Sequence, residues 1–121
     1  MMNQLDELIT RLQSEPEKIE FHDVINVVDK HYRYIPTRFI NGPEESGIIN
    51  EAGENEGSCK IFSFAKLNKL NVKQTLNCFG KYYRDDVLNY PDGTDHQNIR
   101  TFMKYGWDQI VFEGTALTKN E

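Results

Sequence analysis

The chain has 121 residues, 38% of them hydrophobic and 27% charged, with a formal charge of −5, the size and composition of one folded domain. Lys and Arg are scattered along an acidic chain, so neither nucleic acid nor an anionic lipid surface is an expected partner, and no apolar run approaches the roughly 20 residues that a membrane-spanning helix needs. Two cysteines, Cys59 and Cys78, both inside apolar helical patterns, read as buried thiols of a reducing cytoplasm and not as a disulfide framework.

Leu5, Leu8, Ile9 and Leu12 recur at i, i+3, i+4 and i+7, one face of a short amphipathic helix. Residues 1–14 are expected to hold it at the periphery of a single domain. Pro16 ends that pattern, because proline cannot continue an established helix but suits the first turn of a new one. A second helix is expected over 21–31, with Phe21, Val24, Ile25 and Val28 inward. Residues 34–40 read as extended, since Pro36 biases Ile35 away from helix. Asn41, Gly42 and Pro43 are turn chemistry.

The segment 44–57 is expected to be irregular and is acidic throughout, with Glu44, Glu45, Glu51, Glu54 and Glu56 and no Lys or Arg. Gly53 and Gly57 punctuate it, and it runs straight into the most apolar helical pattern of the chain, expected over 58–70 with Asn55 or Ser58 as its cap. A polar loop on a buried helix is a frequent way to hold a site.

Asn71 and Gln74 form a capping box for a fourth helix, whose face runs from Val72 through Leu76, Phe79 and Tyr83 to Val87. Gly80 lies inside that pattern at a cost of roughly 1 kcal/mol against Ala, so a close crossing is expected there. Residues 90–93 are a turn. Thr94 and Gln97 read as a second capping box, opening a fifth helix that Gly106 ends. Residues 110–112 are a strand candidate able to pair with 38–40, and the tail 118–121 is expected to fray. The predicted fold is mainly α, strictly α+β, with four or five helices and a minor two-stranded ribbon.

Three groups of residues then carry a resemblance. They are Asn50, Ala52, Gly53 and Asn55 through Lys60; Phe79, Gly80, Tyr82, Tyr83 and Arg84; and Pro91 through His96 with Asn98, Ile99 and Arg100. Together with Gly106 and Trp107, and with Pro36, Thr37, Phe39, Asn41 and Gly42 upstream, they resemble the HopJ type III effector family over about residues 20–117. The resemblance implies a bacterial cytoplasmic protein that a type III system can deliver into a host cell. It carries over no reaction and no catalytic residue.

The residues themselves offer four constellations. Cys59, near a helix start that would favour a thiolate, could work with His96 and with Asp95 or Asn98 as a hydrolase or transferase; the plainer alternative is a small core thiol. Glu51, Glu54 and Glu56 with His96 match no metal-binding spacing, so neither a metal nor another cofactor is expected. Asn50, Asn55, Ser58, Arg84, Asp92, Asp95, His96, Asn98 and Arg100 exceed what capping requires, and their two loops are expected to touch and to form a binding site; the alternative is bracing alone. Tyr32, Tyr34, Tyr82, Tyr83, Tyr90, Tyr105 and Trp107 could include an exposed patch able to stack on a sugar or anchor a protein. The favoured reading is a small interaction domain for a protein or a glycan, with the enzyme as its alternative.

Overall fold

Asn3 caps the first helix: its side chain accepts from the Asp6 N–H at 2.8 Å, and the leucine stripe then enters the core along α1 (Gln4–Ser14). The computed structural model describes residues 3–120. Leu5, Leu8 and Leu12 are all buried, so the helix expected at the periphery contributes to the main core by packing its stripe on the neighbouring helix. Burying one leucine stabilises by about 1.5–3 kcal/mol, which is why the whole stripe turns inward. After a 3-10 turn at Pro16–Lys18, α2 (Phe21–His31) buries Val24, Val27 and Val28.

Two small antiparallel sheets follow. β1 (Tyr32–Tyr34) pairs with β5 (Leu117–Lys119), with Tyr32 opposite Lys119. β2 (Phe39–Asn41) is the centre of the second sheet, between β3 (Ile48–Asn50) and β4 (Ile110–Phe112). The pairing of 110–112 with the segment ending at Ile40 is therefore as expected. Two other expectations are corrected. β3 lies inside the stretch expected to be irregular, and Thr118 is the middle residue of β5 instead of the start of a frayed tail. Both strands have three residues, too few for alternation to register in sequence. Leu117, buried at 2%, anchors β5.

Side chains alternate across the three-stranded sheet. Phe39, Asn41 and Asn50 point into the protein, while Ile40 points out with Ile49 and Val111 directly opposite it on either side. At Phe39 the inner face meets α3 (Glu56–Leu67), which buries Cys59 and every position from Ile61 to Ala65. Phe62 is the aromatic hub, its ring centroid 4.9 Å from Phe102, 5.4 Å from Phe79 and 6.0 Å from Phe39.

α4 (Val72–Asn77) begins with the expected Asn71–Gln74 capping box. It then stops, which corrects the longer helix read from the sequence. Gly80 adopts φ +59°, and a Cβ there would sit 2.6 Å from the Phe21 backbone nitrogen. The chain breaks so that its backbone can lie against the start of α2, and it resumes as a π-helical turn, Tyr82–Val87. α5 (Gln97–Tyr105) buries Asn98, Ile99 and Phe102 and ends at Gly106, as expected. Its start is not the expected capping box: the residue before it, His96, takes φ +51°, and the Gln97 side chain donates back to the Thr94 carbonyl at 2.7 Å.

Candidate functional site

The two polar loops meet through four asparagines. Asn98 Nδ2 donates to Asn50 Oδ1 at 2.8 Å, and Asn50 Nδ2 donates back to Asn98 Oδ1 at 3.2 Å. Asn41, on the central strand, donates to the Asn98 backbone carbonyl at 2.9 Å and to its side-chain oxygen at 3.1 Å. Asn55 donates to Asn50 Oδ1 at 2.6 Å. Asn41, Asn50 and Asn98 are buried, so each bond removes part of a desolvation cost that would otherwise stand in full. Asn55 is the exposed end of the chain of amides.

Against this frame lies a cleft of about 490 Å³. Asn55, Ser58, Gln97 and Asn98 give it amide and hydroxyl groups, while Phe21, Tyr82 and His96 give it rings. The Tyr82 centroid is 5.2 Å from Phe21, edge-on, and 5.2 Å from His96, at a 40° tilt. The π-helical turn explains this placement. Tyr82 and Asp86 project from successive turns toward the same side: the Tyr82 ring packs on His96, and Asp86 Oδ2 lies 3.0 Å from His96 Nε2. A second carboxylate, Asp95, is 3.8 Å from the same nitrogen. His96 is thereby fixed in place on the cleft wall.

The starts of α3 and α5 both reach this cleft, and neither has a side-chain cap. Their preceding residues, Asn55 and His96, share the left-handed conformation, with φ +48° and +51°. Asn and His both adopt that conformation more readily than most residues, and the contacts with Asp86 and Tyr82 hold His96 in it.

The remaining residues proposed from sequence fall elsewhere. Arg100 Nη2 bonds Asp95 at 2.7 Å and Nη1 bonds the Tyr90 carbonyl at 2.8 Å, bracing the loop from outside. That hydrogen bond from Arg100 holds the Asp95 carboxyl below the ordinary aspartate range. Arg84 donates to the Pro16 and Asn77 carbonyls, to Asn77 Oδ1 at 3.0 Å and to the Ile19 carbonyl. It ties α4 to the turn before α2 and does not line the cleft. Asp92 is exposed in the turn after Tyr90. Glu51 is engaged by Arg38 at 3.0 Å, and Glu54 accepts from the Glu51 N–H at 2.9 Å.

Cys59 faces the core. It is 1% exposed, its sulfur is 3.6 Å from the Thr37 carbonyl, and burial pushes its thiol above the ordinary value. Ser58, one residue earlier, faces the cleft instead. Cys78 is buried as well, and its thiol too is pushed up by burial.

Phe21, Ile48, Phe79 and Gln97 line the cleft without having been singled out as site residues, and Asp86 joins it through His96. Tyr82 stood out only as one of many aromatics. The available signal was Tyr82 and Asp86 at i, i+4 just after a glycine that interrupts a helix.

The model of the family described as HopJ type III effector protein matches residues 5–117, nearly the whole chain. The chain is also similar to the unknown-function protein VPA0580, whose crystal structure superposes with a TM-score of 0.92 at 48% identity, covering 99% of this chain and 97% of that one. A search among curated proteins found no match.

Proposed function

The chain belongs to the HopJ type III effector protein family, and from that premise we propose that it is a small binding module whose ligand seats in the cleft between the two polar loops. Family membership supports a role as a type III effector, made in the bacterial cytoplasm and delivered into a host cell. One observation carries the binding reading. The amides of Asn50 and Asn98 and the amide nitrogen of Asn41 are spent within the buried network, while Tyr82, Asn55 and Gln97 remain exposed on a preformed cavity beside them. A pocket of this size, part apolar and part polar, is the usual form of a small-ligand site.

The alternative, a hydrolase or transferase working through Cys59, has less support. A buried thiol held neutral is a poor nucleophile. The His96–Asp86 pair keeps a narrower form of the enzyme reading alive, since a carboxylate-oriented imidazole on a cavity wall is the geometry of a general base.

Crystals soaked with small polyols, amides and aromatic fragments test the site. Fragment density against Tyr82 and Asn55 is expected. Fragments that gather on other surfaces while the cleft takes up none would overturn the reading.

A further inference from the structure

Resting on that binding reading, we infer that the ligand of the cleft is an uncharged carbohydrate, recognised as a pyranose unit whose C–H face lies on the aromatic wall and whose hydroxyls bond the amide wall.

The charge of the lining sets the class. Phe21, Tyr82, Asn55, Ser58, Gln97 and Asn98 are all neutral, and among the described residues neither Lys nor Arg lines the cleft. The imidazole on the wall, His96, already faces two carboxylates, at 3.0 Å and 3.8 Å. A phosphate or carboxylate ligand would enter beside Asp86 and Asp95 with no Lys or Arg among the described lining residues to receive it, since Arg100 is occupied by Asp95 and by the Tyr90 carbonyl. The uncapped N–H groups at the starts of α3 and α5 do not alter this, because a sugar hydroxyl accepts from them without carrying charge past those acids.

The division of the walls sets the shape. Phe21, Tyr82 and His96 neighbour one another at 5.2 Å steps but meet at 72° and 40°, so they form no continuous flat face, and the exposed Tyr82 offers one ring to one sugar unit. The lining also includes planar carboxamides with free acceptors. Asn55 uses its amide nitrogen on Asn50, so its oxygen is left for a ligand hydroxyl, and Gln97 likewise spends only its nitrogen, on Thr94. Asn55 is therefore oriented before any ligand arrives, which lowers the ordering cost of binding. Hydroxyls, which donate and accept, match such a wall.

A peptide adding to the sheet is the poorer fit. Ile48 brings the edge strand β3 to the cleft, but β3 has only three residues, and its Ile48 carbonyl already accepts from Asn50 Nδ2 at 3.2 Å.

Ligand-observed NMR and calorimetry on the full chain test the assignment. The probes are a panel of neutral oligosaccharides, the same glycans carried on a glycopeptide, an unglycosylated peptide and inorganic phosphate. Binding of a neutral saccharide is expected, free and peptide-linked alike. Tyr82→Ala should weaken it about tenfold, and Tyr82→Phe should retain it, because the ring face and not the hydroxyl makes the contact. Equal binding by wild type and Tyr82→Ala would overturn the placement. A peptide or phosphate that seats in the cleft while no saccharide does would overturn the carbohydrate class and leave the binding module standing. If none of the probes or soaked fragments enters the cleft, both readings fall together.

Discussion

Asn50 and Asn98, 48 positions apart in the chain, exchange hydrogen bonds through their side-chain amides. A reciprocal pair of this kind fixes both distance and orientation, because each carboxamide donates and accepts at once. It sets the end of β3 against the first turn of α5, and the cleft is the space left beside that join. The frame is consequently structural, while the groups on its rim are free to act.

This separation predicts different costs for the two ends of the network. Asn98→Ala removes the buried exchange with Asn50 and the side-chain acceptor of Asn41, leaving Asn41 only the backbone carbonyl of residue 98, and should destabilise by about 1–3 kcal/mol. Asn55→Gly keeps the left-handed backbone and removes only the exposed amide, so its cost should stay under about 1 kcal/mol. Urea unfolding of the two variants measures the difference. Similar losses for both would mean that Asn55 belongs to the bracing.

Gly80 carries a second prediction. A methyl group there meets backbone atoms, 2.6 Å from the Phe21 nitrogen and 3.2 Å from Glu20 Cα, which cannot swing aside as a side chain would. With the positive φ added, Gly80→Ala should cost roughly 2 kcal/mol or more. Because Phe21 and Tyr82 flank this contact, the variant should also disturb the aromatic wall. Thermal unfolding and the tyrosine near-UV circular dichroism report the two effects.

Both thiols are buried and held neutral. Iodoacetamide at neutral pH should therefore leave Cys59 and Cys78 unmodified in the native protein and label both in denaturant. Fast native labelling of Cys59 would restore it as a nucleophile.

Asp95 titrates below the ordinary aspartate range because Arg100 hydrogen-bonds its charged form. The sign follows from linkage: what this pair contributes to stability is present above the unfolded value, near 3.9, and is lost as pH falls through the lower folded value. In Arg100→Gln the Asp95 carboxyl should move up toward the ordinary value, read by carbon-13 NMR titration. An unmoved titration would assign the shift to His96 instead.

Much of this fold was legible in the sequence, and the reasons differ by element. Helices α1, α2 and α3 are long enough for a 3.6-residue period to show, and Asn71 with Gln74 announces α4 directly. β3 and β5 escaped because three residues carry no usable alternation and their pairing is decided by partners far along the chain. The break at Gly80 was visible as a cost but not as a break, since periodicity continues from Leu76 to Val87 across it. The meeting of the two loops could be foreseen from an excess of Asn and Asp. Which of these residues would face a cavity could not, because Tyr82 and Asp86 reach His96 only through the π-helical turn.

The claim that the cleft is the ligand site is tested most directly by backbone amide shifts in a nitrogen-15 correlation spectrum, recorded as a neutral oligosaccharide is titrated into the protein. A ligand seated between the loops touches the starts of both helices, so Gly57 and Ser58 should shift together with Asn98 and Ile99, with matching saturation curves. Shifts confined to the outer face of the three-stranded sheet, at Ile40, Ile49 and Val111, would contradict the account and move the binding surface to the opposite side of that sheet.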